Sequence, residues 1–220
     1  MTQSLDRFTV RVKADEQRFN NDSKTVKALG HVNVDYDDIK AKSREATLWL
    51  GEDGKARRII FTGKANLIKQ DNEITGDKVT YMVGSGNLIA ENKVESLVKS
   101  KDQGGQKTNI TITSNFQQSD RASDTFIASG NVRIIYDDYT AVGSKANFKL
   151  RNGEVDNILL TGRPSITAGP RKVTADKITI TTNPKHFDAF GNVKSKFLTN
   201  ENMSSPLNQN TKPKTQKTPK

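Results

Sequence analysis

The chain has no cysteine. No disulfide framework, thiolate metal site or cysteine nucleophile can exist in it. A chain without cysteine survives equally in reducing and oxidising surroundings, so this absence does not locate it. Aromatic residues are few, at 6%, with a single tryptophan, and only 33% of the chain is hydrophobic against 27% charged. That is thin for a compact globule of 220 residues, which should bury a large share of its surface. Either much of the chain is disordered, or the fold is so thin that few residues lie far from solvent. Apolar residues recurring at strand spacing favour the thin fold. No apolar run approaches the ~18–20 residues of a membrane-spanning helix. Met1–Asp6 does not resemble a signal peptide, so an exported form would already have lost its signal.

Recognisable catalytic chemistry is also missing. The two histidines, His31 and His186, fall in different halves with no neighbouring His, Cys or paired acid, which argues against a metal site. Asp37-Asp38 and Asp137-Asp138 are weak calcium ligands or polar turn residues, and no spaced oxygen-ligand loop accompanies them. There is no Gly-x-Ser-x-Gly elbow and no phosphate-cradling glycine loop. The expectation is a protein that is not an enzyme and needs no cofactor or metal.

The formal net charge is +10, which attracts phosphate-bearing partners. The segment 199–220 holds four of the lysines against one Glu and reads as a disordered basic tail. Elsewhere the charges are interspersed. Single-strand nucleic-acid binders pair a basic groove with aromatic platforms. Here most phenylalanines lie on the inward phase of strand patterns, so nucleic acid is not expected as a partner. Trp49 lies on the opposite phase from Leu48 and Leu50, which marks either a contact surface or a ring covered by a neighbouring segment.

The chain is a tandem repeat. Gly30-His-Val-Asn-Val-Asp-Tyr-Asp-Asp38 matches Gly130-Asn-Val-Arg-Ile-Ile-Tyr-Asp-Asp138 at an offset of one hundred. After a one-residue slip, Ile59–Gly63 matches Ile158–Gly162, and Ile74–Val79 matches Val173–Ile178. Leu88, Ala90 and Val94 then match Phe187, Ala189 and Val193. The repeats run 8–97 and 110–197, with 98–109 read as a loop, inside one domain spanning 1–198. A shorter beat recurs inside each repeat: a strand ending in an Ala-x-Gly or Thr-Gly step. It appears at Gly30, Gly63, Gly130, Gly162 and Gly191, and in degenerate form at Asn92. Alternation is clean: Phe8, Val10 and Val12 share a face, as do Val26, Ala28, Val32 and Val34, then Ile59, Phe61 and Leu67, then Phe126, Ala128, Val132 and Ile134. Gly51–Gly54 and Arg151–Gly153 read as hairpin turns. The small inward residues Ala28, Gly63, Ala128, Gly130, Gly162 and Ala189 either let layers approach closely or leave room for something else.

The Ala-x-Gly-x-Val steps at Ala28–Val32, Ala128–Val132 and Ala189–Val193, with the strands Ile74–Val79 and Val173–Ile178, resemble the recurring unit of the OstA-like family of lipopolysaccharide transport, which includes LptA. The resemblance covers about 8–197. It implies an elongated open β-jellyroll of two facing antiparallel sheets, with about 12–16 strands here. It implies a periplasmic protein that holds the acyl chains of lipopolysaccharide (lipid A) in an apolar groove and helps bridge the inner and outer membranes. It also implies LptC-like and LptD-like partner proteins at the terminal strands, and head-to-tail self-association. The groove candidates are Val26, Ala28, Val32, Val34, Ile59, Phe61, Leu67, Phe126, Ala128, Val132, Ile134, Phe148, Leu160, Ile178, Ile180 and Val193. The candidate edge residues are Phe8, Val10, Val12, Val193, Lys196 and Phe197. Stacked at ~4.8 Å, the beats would make a face of roughly 30 Å. The competing readings are an adaptor β-solenoid that binds protein or polysaccharide on its outer face, and a carbohydrate-active β-helix, which the lack of clustered acids disfavours.

Overall fold

The computed structural model describes residues 9–101 and 107–197, and its only regular elements are strands. In chain order they are β1 (Arg11–Lys13), β2 (Glu16–Asn20), β3 (Thr25–Tyr36), β4 (Ile39–Leu50), β5 (Ala56–Lys69), β6 (Asn72–Met82), β7 (Leu88–Lys101) and β8 (Lys107–Asp120). The second half continues with β9 (Thr125–Tyr136), β10 (Tyr139–Arg151), β11 (Glu154–Thr161), β12 (Ser165–Ala168), β13 (Arg171–Thr174), β14 (Lys177–Thr182), β15 (Lys185–Phe190) and β16 (Lys194–Phe197). All sixteen belong to one open antiparallel sheet, in which β3 to β11 pair in chain order and the short terminal strands pair around them. The fold is an elongated open β-jellyroll.

The two facing layers share their strands. Ladder registers shift in mid-strand, as at Leu29/Val32 between β3 and β4 and at Thr113/Phe116 between β8 and β9. At these levels two consecutive residues are left-handed: Gly30-His31, Gly63-Lys64, Asn92-Lys93, Gly130-Asn131, Gly162-Arg163 and Gly191-Asn192. Such a bulge bends its strand, so each long strand runs half in one layer and half in the other. The bend keeps the inward face. Ala28 before it and Val32 after it are both buried. Gly130 shows why glycine suits the corner. Its φ is 73°, and a Cβ there would lie 2.9 Å from Asn115 Nδ2. The corner glycines therefore serve backbone geometry, and the space expected at Gly63, Gly130 and Gly162 is taken up by Arg44, Asn115 and Ser144. Asn92 fills the degenerate beat because Asn tolerates the left-handed region.

Four paths break at the corner into two short strands each (β1/β2, β11/β12, β13/β14, β15/β16), so the sixteen strands follow twelve paths. Because every path crosses both layers, each layer is about 50 Å long at ~4.8 Å per strand, not the roughly 30 Å expected from six beats.

A buried sheet face needs a cover, and here each layer covers the other. Two apolar clusters fill the space, one per repeat. The first runs from Ala28 to Val94 and the second from Ile110 to Ile180. The hairpins fall where Asp-Gly and Asn-Gly signals placed them. Asn152 and Gly153 both have positive φ, at 55° and 79°, as a two-residue hairpin turn requires. Asp37 and Asp137, at φ 52° and 54°, occupy equivalent tight turns. The expected loop 98–109 is largely strand. β7 runs to Lys101, β8 starts at Lys107, and the two pair as far as Lys101↔Lys107. The polar Gly/Gln stretch carries no apolar alternation, so the sequence does not show the strand ends on either side of it. The tail 199–220 and Phe8 lie outside the described residues.

Candidate functional site

Most groove candidates meet each other across the interior. Ala28, Val32, Val34, Ile59, Phe61 and Leu67 are buried in the first cluster, with Val26 partly buried against it. Phe126, Ala128, Val132, Ile134, Phe148, Leu160, Ile178 and Ile180 are buried in the second. Phe126 and Phe148 stack at 3.9 Å between centroids. Val193 departs from the expectation. It lies between β15 and β16, is 49% exposed, and joins neither cluster. It stands on the last path of the sheet, where no further strand covers it, whereas Val32 and Val132 follow the same left-handed pair inside the sheet and are buried.

The interior is therefore closed within each repeat, not a continuous trough. Between the clusters it changes character. Ser96, Ser114 and Gln117 are buried there. Ser96 Oγ donates to Gln117 Oε1 at 2.6 Å, and Gln117 Nε2 donates to the Ile112 carbonyl at 3.2 Å. At this junction lies a cavity of about 460 Å³. Ile39, Leu67, Ile74 and Val98 wall it from one layer, and Tyr81, Leu88, Phe126 and Leu150 from the other. Its rim is made of strand ends and turns: Asp38, Lys69 and Asn72 on one side, Gly86, Arg121 and Asp124 on the other. Of the groove candidates, only Leu67 and Phe126 line it. Burial first, then the neighbouring Tyr36 and Asp38, push the Tyr81 hydroxyl pKa up to about 12, so it stays a neutral phenol.

The two repeats close their open side differently. In the second, Tyr136 donates its hydroxyl to the Thr182 carbonyl at 3.1 Å. Lys185 reaches from the opposite layer to both Asp137 and Asp138, and its ammonium lies 4.4 Å from the Tyr139 ring centroid. These pairs hold Asp137 below its ordinary carboxylate pKa, chiefly through the hydrogen bond from Lys185. Burial works against the charged Lys185, but its bonds to Asp137 and Asp138 outweigh it and raise its pKa. In the first repeat, the tilted contact between Tyr36 and Tyr81, 6.2 Å apart, is the ring contact in the same place. Asp38 pairs sideways with Lys69, at 3.7 Å, within its own layer. The repeat register puts Gly86 where Lys185 stands.

The sheet ends are the other feature. β1 and β2 pair only with β3. β15 pairs only with β14, and β16 only with β13. The edge residues Val12, Lys196 and Phe197 lie on these strands, while Val10 precedes β1. β2 was not anticipated, and β15 was expected as a strand but not at an edge. Both edges carry exposed apolar side chains: Phe19 at 60%, Phe190 at 55% and Phe197 at 64%. The signal for β2 in the sequence was only Phe19 among polar residues, too little to separate from a loop.

Trp49 is partly covered, with the Arg58 guanidinium 4.3 Å above its ring. Its place opposite the core is filled by a neighbouring strand. His31 binds Asp15 at 2.8 Å beside a corner, and His186 lies near Asp188. Among the described residues no group of three metal-ligating side chains comes together, and no helix is long and apolar enough to cross a membrane.

No family model matches the chain, and no curated relative does. Among solved structures, it is similar to LptH, the LptA-homologous periplasmic component of the lipopolysaccharide transport device of Pseudomonas aeruginosa. That likeness has 12% identity and a TM-score of 0.33, and covers 74% of this chain and 96% of the other.

Proposed function

We propose that this protein carries acyl chains of lipopolysaccharide between its two layers. In this role it joins end to end with copies of itself, or with LptC-like and LptD-like folds, to bridge the two membranes of the periplasm. The observation that carries the reading is the pair of unpaired ends on an open, two-layered sheet with an apolar interior. Twelve paths is an even number. The first path therefore runs from the β1 layer to the β2 layer, and the last runs back, from the β15 layer to the β16 layer. A second copy docked in line meets the first with antiparallel strands and matching layers, β2 beside β15 and β1 beside β16. Such a head-to-tail contact does not close on itself and extends as a filament. The repeating Ala-x-Gly-x-Val steps support the same reading through their resemblance to the OstA-like unit. An apolar cavity between the layers needs no catalytic cluster to hold an acyl chain, whose burial is worth ~0.8 kcal/mol per methylene.

The test uses photo-crosslinkable lipopolysaccharide and sedimentation. Lipid labels are expected on peptides holding Leu67 or Phe126. Phe19→Glu and Phe197→Glu, at exposed end positions, should each weaken self-association and partner capture while leaving the melting temperature unchanged. A chain that takes up no lipid and stays monomeric at every concentration would overturn the reading.

A further inference from the structure

The duplicated halves are not equivalent at their open side, and the cavity lies on the side of the weaker half. In the second repeat a lysine from one layer grips two aspartates of the other, and a tyrosine hydroxyl adds a second tie. In the first repeat the matching Asp37-Asp38 turn has no cation reaching it from the opposite layer among the described residues. The position of that cation is Gly86; Arg121 of the same layer packs beside it, and among the described residues no ion pair joins Arg121 to either aspartate. Asp38 and Gly86 both stand on the cavity rim. The opening is thus found where the duplication lost, or never acquired, its tie.

The cavity is also of limited capacity. It is a single space of about 460 Å³ at the junction, so we assign it one aliphatic chain, with any further chains of a larger lipid left outside. Large apolar side chains from both layers line it, and the buried polar groups Ser96 and Gln117 are bonded to each other. The charged groups sit at the rim, where a head group would stay in water.

We infer that the two repeats have divided their labour. The second is a latched half held shut by Lys185. The first opens between the Asp37-Asp38 turn and the Gly84–Gly86 turn to admit a single aliphatic chain of an amphiphile into the junction cavity. This deepens the proposed lipid-carrying role and rests on it only for the identity of the natural lipid.

The probe is dansyl-undecanoate, titrated into the full chain and followed by its fluorescence, with hydrogen exchange read alongside. Saturable binding of one probe per chain is expected. Val98→Trp and Leu150→Trp, which fill the cavity from opposite layers, should each weaken binding at least tenfold. Amides at 36–39 and 83–88 should exchange faster than those at 136–139 and 182–187, and bound probe should slow the first set only. Lys185→Ala should raise exchange at 136–139 towards the rate of the first repeat. Binding that survives both tryptophan substitutions, protection that appears at 136–139 instead, or equal exchange in the two repeats would each overturn the inference. Should a tryptophan variant fail to fold, the exchange measurements on the unaltered chain still decide. Lipopolysaccharide crosslinking without any dansyl-undecanoate binding would sink this inference and leave the proposed function standing. Loss of both would sink both.

Discussion

Replacing Gly130 with alanine tests the corner on which the two-layered sheet depends. The residue has φ 73°, and a side chain in the left-handed region costs ~1–2 kcal/mol. The new Cβ would also stand 2.9 Å from Asn115 Nδ2 and 3.0 Å from Asn115 Cβ. The amide can swing away, but the Cβ is fixed to the backbone of β8, so the strand must shift. Overpacking of that kind costs ~1–3 kcal/mol, for a total of roughly 2–5 kcal/mol. With a urea m-value of about 2 kcal/mol/M, the unfolding midpoint falls by ~1–2.5 M. The two contributions can be separated. Asn115→Gly in the Gly130→Ala background removes the collision but not the backbone cost, so it should restore the steric share and leave ~1–2 kcal/mol lost. A Gly130→Ala protein within about 0.5 kcal/mol of the parent, a change typical of a neutral surface site, would refute the account of the bend.

The core and the latch give two more tests. Phe148→Ala, at a buried site stacked on Phe126, should cost ~3–5 kcal/mol in urea unfolding. A double-mutant cycle with Phe126→Ala should show ~0.5–1.5 kcal/mol of coupling, and zero coupling would mean the rings do not stack in solution. The latch should also respond to pH. Asp137 titrates lower in the folded chain than unfolded, so its contribution is present above the ordinary value of ~3.9 and is lost as pH falls through the folded value. Lys185 titrates higher folded, so its share is complete below ~10.4 and is lost as pH rises through its folded value. The thermal difference between the parent and Lys185→Ala should therefore be flat from about pH 5 to 9 and shrink in acid. An undiminished difference at pH 2 would show that the ion pairs are not what the substitution removes.

Much of the fold was legible because strand alternation and repeat register are local properties. The repeated Gly30–Asp38 and Gly130–Asp138 segments fall at the same place in each half, and the hairpin at Asn152-Gly153 follows from two residues suited to positive φ. The bend was not legible. Two left-handed residues return the chain to the same face, so Ala28 and Val32 read as one unbroken strand and the glycines between strand segments read as close approach of layers or as room for a ligand. Closure was hidden for a related reason. Alternation shows that Ile158 and Ile178 point inward, but not that their neighbours across the interior meet them. The exception at the junction has a sequence trace in Ser96, Ser114 and Gln117, polar residues on an inward phase, which could have marked the break between the two cores. The latch needed a contact between turns nearly fifty residues apart, Asp138 and Lys185, and no local pattern reports that.

The even number of crossings has a consequence for how such a chain can change size. Inserting or deleting one whole hairpin adds or removes two crossings, so the last strand still leaves in the same direction and on the same side. The coupling at each end is then indifferent to the length between, and the molecule can be lengthened like a ladder by pairs of rungs. Losing a single crossing would reverse the outgoing strand and swap the layers at the joint.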